Sequence, residues 1–190
     1  MRIVLAIGLA AALVGCFGAG CAGEPAAEPE PVVRQSELRG AQAVREVVAI
    51  RTAGANAGVL STKIFGTIAA AGRQSRAEGG RLLRRELPPL LAAAATVWPR
   101  SYRAIAAQAP RREAARRQRA ILLRAVRSEQ ASLALLRREL RGARDVWPPV
   151  LRFGARSDEL RRRLAVEIDA MMAAIPANES EALRRAFAGG

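Results

Sequence analysis

The 190-residue chain carries thirty-one basic and seventeen acidic side chains, a formal net charge of +14, and no histidine. Aromatic residues are 4% of the chain and its apolar fraction is mostly Ala, Leu and Val, which argues for close-packed helices and against sheets built from aromatic and β-branched faces. The absence of histidine removes the commonest general base and metal ligand, and so basic a balance directs attention to nucleic acid, anionic lipid or acidic partners.

Arg2 precedes an apolar run over residues 3–14, twelve residues that suit a secretory signal and fall short of a membrane span. The run ends in Leu13-Val14-Gly15-Cys16. This tetrapeptide resembles the lipobox of bacterial lipoproteins, and the resemblance implies that Cys16 is acylated and becomes the mature N-terminus. Gly18-Ala19-Gly20-Cys21 is the alternative, with glycine where a lipobox favours leucine, so Cys16 is preferred over Cys21. Both cysteines of the chain lie in this stretch, which leaves the body without a disulfide framework or a thiolate metal site. The lipoprotein family carries more than one acyl chain, which is what stable anchoring requires. Neither Phe17 nor Ala22, the residues after the two cysteines, is the aspartate that retains such proteins at the inner membrane, so the resemblance implies an outer-membrane protein facing the periplasm. A lipid anchor makes the membrane the first partner. Anionic lipid, lipopolysaccharide and acidic envelope proteins are the further candidates, and no nucleic acid is expected.

Residues 22–33 hold three glutamates with Pro25, Pro29 and Pro31, an extended and solvated composition. The expected organisation is therefore a signal peptide over 1–15, a lipidated cysteine and acidic tether over 16–33, and a helical domain over 34–190. Ser36 suits an N-cap, followed by an apolar face of Leu38, Ala41, Val44 and Val48, widened by Val47 and Ile50. Residues 53–72 put Leu60, Ile64, Ile68 and Ala71 on one face, while Lys63 at their centre argues against a membrane span. Gly54 and Gly58 have the spacing of a close helix contact, which so Gly- and Ala-rich a stretch also produces by chance. From Arg81, Leu83, Leu87, Leu90, Ala94 and Val97 mark a bundle seam that Pro88 and Pro89 are expected to kink or stop near Leu87. Pro99 and Pro110 bracket a short helical segment containing Tyr102.

The longest helix is expected over 110–147, about 57 Å at 1.5 Å per residue. Its heptad seam runs Ala115, Leu122, Val126, Leu133, Leu136, Leu140, Ala143 and Trp147 once Arg119 and Glu129 are admitted. These two charges set the register, form an ion-pair site, or sit at frayed or partly exposed parts of the seam. Ser157 suits the cap of a further helix with Leu160, Leu164, Ile168, Met171 and Ile175 inward, and Asn178 with Glu181 suits a capping box. Short connections imply antiparallel neighbours, hence an all-α antiparallel bundle. Leu82-Leu83-Arg84-Arg85-Glu86-Leu87 returns at residues 135–140, each copy followed by Val-Trp-Pro, as a duplicated hairpin or as chance similarity in a biased composition.

Catalytic constellations are missing. Serine has no histidine to form a triad, Ser61 and Lys63 lack an orienting partner for a dyad, and Glu167 and Asp169 fall on different sides of a helix. The expectation is a non-enzymatic protein without a cofactor or metal. Arginine supplies thirty of the thirty-one basic residues. On the long helix Arg116, Arg117, Arg124, Arg127, Arg137, Arg138, Arg141 and Arg144 lie off the seam as an outward stripe, which is either a solvated face or an anion-binding one. Arg111, Arg112, Arg116 and Arg117 crowd the helix N-terminus, where the macrodipole disfavours cations unless an anion sits there. The candidate anion- or partner-binding residues are therefore Arg111, Arg112, Arg116, Arg117, Arg124 and Arg127, on an envelope lipoprotein acting as a structural or adaptor module. A periplasmic helical-bundle ligand-binding or sensory protein is the competing expectation, which a polar-lined central cavity would favour.

Overall fold

The computed structural model describes residues 31–187, so the signal, Cys16, Cys21 and most of the acidic tether lie outside the described residues. Five helices and no strand occur among the described residues: α1 (Pro31–Gly72), α2 (Arg76–Ala106), α3 (Glu113–Leu140), α4 (Trp147–Ala174) and α5 (Ala177–Phe187). The chain is an all-α bundle.

No proline falls in residues 32–72, and α1 runs unbroken through the expected boundary at residue 53. Ser36 is therefore inside α1 rather than its cap. In the first half Val47 and Ile50 are buried as expected and Ala43 joins them, while Leu38 and Val48 of the expected stripe are 66% and 37% exposed. The cause is α5, which runs alongside α1 and packs on Gly40: a Cβ at residue 40 would stand 2.9 Å from Ala182 Cβ. Asn178 Nδ2 donates to the Ser36 carbonyl at 3.1 Å, and Glu181 pairs with Arg185 at 3.2 Å. The expected Asn178–Glu181 capping box is thus replaced by one contact between helices and one along α5.

Helix α2 opens on a capping box that the sequence reading passed over: the Glu78 N–H donates to Ser75 Oγ at 3.3 Å and the Ser75 N–H to Glu78 Oε2 at 3.4 Å. It then continues through Pro88, Pro89 and Pro99. Of the kink or stop expected near Leu87, the stop does not occur, and the segment expected between Pro99 and Pro110 is the last part of α2. Pro88 and Pro89 face solvent, while Leu83, Leu87, Leu91, Ala94, Trp98 and Ile105 are each at most 3% exposed. Burying that continuous seam outweighs about 3 kcal/mol for each helical proline.

Helix α3 is shorter at both ends than the expected 110–147. Gly142 at φ +77° takes the left-handed conformation that ends it, a position that suits only glycine without strain. Pro148 and Pro149, just past the expected end at residue 147, sit in the first turn of α4, where a missing N–H costs nothing. Helix α4 therefore starts ten residues before Ser157, which is buried inside it. The two Leu-Leu-Arg-Arg-Glu-Leu copies also diverge: the first lies inside continuous α2 with Trp98 fully buried, the second ends α3 and leads by a turn to half-buried Trp147.

Side-chain pairs fix the helix directions. Ser61 meets Glu129 and Gln42 meets Arg112, so α1 and α3 run parallel. Arg124 meets Glu167 and Arg152 meets Glu139, so α3 and α4 are antiparallel. Gly79 lies against Ala71 and Gly54 against Ile105, so α1 and α2 are antiparallel. Leu136, Phe153, Trp98, Ile64 and Leu87 are fully buried within the core, and the Phe65 and Phe153 rings stack 5.4 Å apart. No described helix is long and apolar enough to cross a membrane.

Candidate anion-binding surface

The N-terminus of α3 leaves backbone N–H groups that an acceptor must satisfy, and carboxylates of the chain itself do so. Glu46 Oε2 on α1 accepts the N–H of Arg111 at 2.9 Å and of Arg112 at 2.8 Å. Glu179 Oε2 on α5, buried, accepts the N–H of Ala114 at 3.1 Å. The Arg112 guanidinium donates to Gln42 Oε1 at 2.8 and 2.5 Å, and Gln42 Nε2 in turn donates to Glu46 Oε1 at 2.9 Å. An anion does sit at this helix end, and it belongs to the chain.

Further along, Glu113 holds both Arg117, at 2.6 Å, and Arg116, at 2.7 Å. Hydrogen bonds from Arg117 and then Arg116 hold the Glu113 carboxyl below its usual range. Arg124 pairs with Glu167 of α4. Arg127 lies over the Tyr102 ring at 5.2 Å and donates to its hydroxyl at 2.9 Å. The structure thus spreads the six candidate arginines along α3 and its approach, with five guanidiniums engaged by internal partners and Arg111 donating only through its backbone. All remain at least partly exposed, and exposed pairs of this kind contribute little to stability.

The two seam charges have structural roles. Arg119 reaches back to the end of α2, with Nε donating to the Ile105 carbonyl at 3.2 Å and Nη2 to that of Ala106. It caps the carbonyls where the α2 dipole is negative. Glu129 accepts a 2.6 Å hydrogen bond from Ser61 Oγ. Burial pushes its carboxyl above the usual range, opposed by Ser61, by the indole of Trp98 and by the charge of Arg161. Trp98 Nε1 is buried and falls outside hydrogen-bond geometry to any acceptor among the described residues, so its effect on Glu129 is that of a nearby dipole. Ser61 is therefore committed to Glu129, whereas Lys63 is exposed beside Asn56, Val59, Arg100 and Ser101 in an open recess of about 400 Å³ between α1 and α2. The two do not converge as a dyad. Glu167 turns to Arg124 while Asp169 is solvent-exposed.

Besides Arg111, the arginines that keep exposed guanidiniums without an ion pair or hydrogen bond among the described residues are Arg39 and Arg45 on α1, Arg100 on α2, and a group of six at the end of the bundle where the α1–α2 and α3–α4 turns meet. Asp145 pairs with Arg76 at 2.5 Å, Trp147 Nε1 donates to the Arg76 carbonyl at 3.0 Å, and Arg84 donates to the carbonyls of Ala143 and Arg144. These contacts lock the turns together. Arg73, Arg81, Arg137, Arg138, Arg141 and Arg144 surround them, all exposed and none with a side-chain ion pair or hydrogen bond to another described residue. Sequence reading reached the last four as part of a stripe. It missed Arg73 and Arg81 because nothing local in a sequence tells which turn of a bundle abuts which.

Fold and surface define an all-α helical bundle with a strongly basic exterior. No protein-family model, curated protein or solved structure matches the chain.

Proposed function

We propose that the chain is an envelope-anchored lipoprotein that acts as a non-enzymatic structural or adaptor module through its basic helical surface. The observation that carries the reading is the surplus of exposed guanidiniums left after the chain's own carboxylates are used: Glu46 and Glu179 cap α3, Glu113 takes two arginines, and an unpartnered group remains at the far turns. Supporting it, the bundle interior is filled by Trp98, Phe153 and aliphatic side chains, and the recess between α1 and α2 opens on the surface rather than in the centre. The Leu13-Val14-Gly15-Cys16 motif supplies the anchor, and an adaptor held at one end needs only a charged surface to recruit an anionic partner.

Two measurements test the two halves of the reading. Metabolic labelling with a fatty acid is expected to mark the wild type and Cys21→Ala but not Cys16→Ala; no label on the wild type in the envelope fraction would remove the anchor. Association with anionic vesicles is expected to weaken steeply as salt shortens the Debye length below about 10 Å. Salt-insensitive association would remove the electrostatic surface.

A further inference from the structure

The two turns locked together by Trp147 and Asp145, residues 73–86 and 137–147, hold nine arginines against four carboxylates. Those carboxylates are spoken for: Glu78 by Ser75, Glu86 by Arg85, Asp145 by Arg76, and Glu139 by Arg152 of α4. At the opposite end Glu46, Glu113, Glu179 and Glu181 likewise face arginines and backbone N–H groups, and Arg39, Arg45 and Arg111 keep exposed guanidiniums without a partner among the described residues. The tip differs in gathering six such guanidiniums on two adjoining turns. The basic tip is the end remote from the start of α1, about 63 Å away at 1.5 Å per residue over the 42 residues of that helix.

We propose that this tip is a docking site for an anionic bilayer surface, through Arg73, Arg81, Arg137, Arg138, Arg141 and Arg144. It rests on the reading of the chain as a basic adaptor and states which part of the surface does the binding. The recess lined by Lys63 and Arg100 and the one lined by Tyr102, Arg103 and Arg127 both lie away from the tip. A protein partner is held by anchors seated in packed pockets, yet the tip's one aromatic, Trp147, is half-buried and spends its N–H on the Arg76 carbonyl. What remains is a spread of long, exposed guanidiniums that no internal partner fixes among the described residues. That matches a surface of repeating phosphates, on which each arginine meets whichever headgroup lies beneath it and contributes about fivefold in partitioning.

The test compares three forms of the full-length chain on vesicles of phosphatidylcholine alone and of phosphatidylcholine with phosphatidylglycerol. One is the wild type, one the tip variant Arg73→Gln, Arg138→Gln, Arg141→Gln and Arg144→Gln, and one the stripe variant Arg116→Gln, Arg117→Gln, Arg124→Gln and Arg127→Gln. The wild type and stripe variant are expected to prefer the anionic vesicles. The tip variant should lose that preference by roughly two orders of magnitude or more. Replacing the same four tip residues with lysine should restore most of it; a lysine variant as weak as the glutamine one would mean lost folding rather than lost charge and overturn the proposal. If the stripe variant loses binding and the tip variant keeps it, the tip assignment is wrong while the adaptor reading stands. If the wild type shows no anionic preference, both fall. If it binds polyglutamate or duplex DNA but not anionic vesicles, the tip belongs to another class of partner and the proposal fails.

Discussion

Ser61 Oγ donates a 2.6 Å hydrogen bond to Oε1 of Glu129, joining α1 to α3 across the bundle between residues 68 positions apart. The carboxyl is mostly buried, and burial raises its pKa against the opposing influences of Ser61, Trp98 and Arg161. A folded state that holds this proton more tightly than the unfolded chain is favoured most in acid. The contribution is fully present below the unfolded value near 4.5 and is lost as pH rises through the folded pKa. Glu129→Gln keeps an acceptor for Ser61 and removes the titration. The variant should therefore melt above the wild type at neutral pH, with the gap closing toward pH 4. Parallel melting curves of the two proteins across that range would show that Glu129 is not buried as described.

Ser61 itself is the second test of this pair. Ser61→Ala leaves a buried carboxylate without its hydroxyl donor, a loss of about 1–3 kcal/mol for an unsatisfied buried group. For a chain of this size that lowers Tm by roughly 2–4 °C per kcal/mol. Because the hydrogen bond favours the charged form, the loss should shrink in acid. In the Glu129→Gln background it should be smaller still, and additive effects in that double-mutant cycle would dissolve the coupling.

Gly79 places α2 on the end of α1. A Cβ there would stand 2.4 Å from the Ala71 carbonyl oxygen and 2.8 Å from Trp147 Cζ2. The first of these is backbone and cannot rotate away, so Gly79→Ala should destabilise the bundle by about 1–3 kcal/mol despite alanine's higher helix propensity. Gly66→Ala, where nothing lies within 4 Å, should stabilise slightly by contrast. Thermal denaturation of the two variants side by side measures the difference, and equal Tm values would mean that the helices do not approach closely at Gly79.

The periodicity of Leu83, Leu87, Ala94, Leu133 and Leu136 was enough to give helices and a bundle, because a 3.6-residue repeat of apolar side chains is a local signal. Boundaries were harder where proline stood. Pro88 and Pro148 look alike in sequence, yet one lies inside α2 and the other opens α4, and the difference is the uninterrupted buried seam on one side and Gly142 on the other. The surface was half legible. An outward basic stripe on α3 follows from helical spacing, as does the pairing of Arg116 and Arg117 with Glu113, but Glu167 of α4, which takes Arg124, and Tyr102 of α2, which takes Arg127, carry no local mark. Ser75 and Glu78 did carry one, the Ser-x-x-Glu spacing of a capping box, and were overlooked.

The capping of α3 by two distant carboxylates predicts a separable loss. Glu179→Ala removes the acceptor of the buried Ala114 N–H and should cost about 1–2 kcal/mol, while Glu179→Gln, which keeps an oxygen in place, should cost less. Glu46→Ala frees two N–H groups nearer to solvent, at Arg111 and Arg112, so water replaces part of what is lost. The order expected in chemical denaturation is Glu179→Ala least stable, then Glu46→Ala, then Glu179→Gln. A wild-type Cm for Glu179→Ala would mean that α3 is capped in some other way.

Pro88 and Pro89 offer the sharpest check on the continuity of α2. Each lacks the N–H that would donate to a carbonyl four residues back, at Arg84 and Arg85, and each ring crowds that carbonyl. Both side chains face solvent, so replacing them with alanine removes no core packing. In a continuous helix the exchange restores two hydrogen bonds and recovers up to about 3 kcal/mol per site. Against this, alanine frees the unfolded chain, which returns about 0.4–1 kcal/mol per site to the unfolded state. The balance favours the folded protein, and Pro88→Ala/Pro89→Ala should raise Tm by several degrees, with a gain in helical circular dichroism or no change. If the chain instead broke at Leu87, the prolines would be serving as the start of a second helix, where their fixed φ is an advantage. The double variant would then melt at a lower temperature, and that result would refute a single α2 from Arg76 to Ala106.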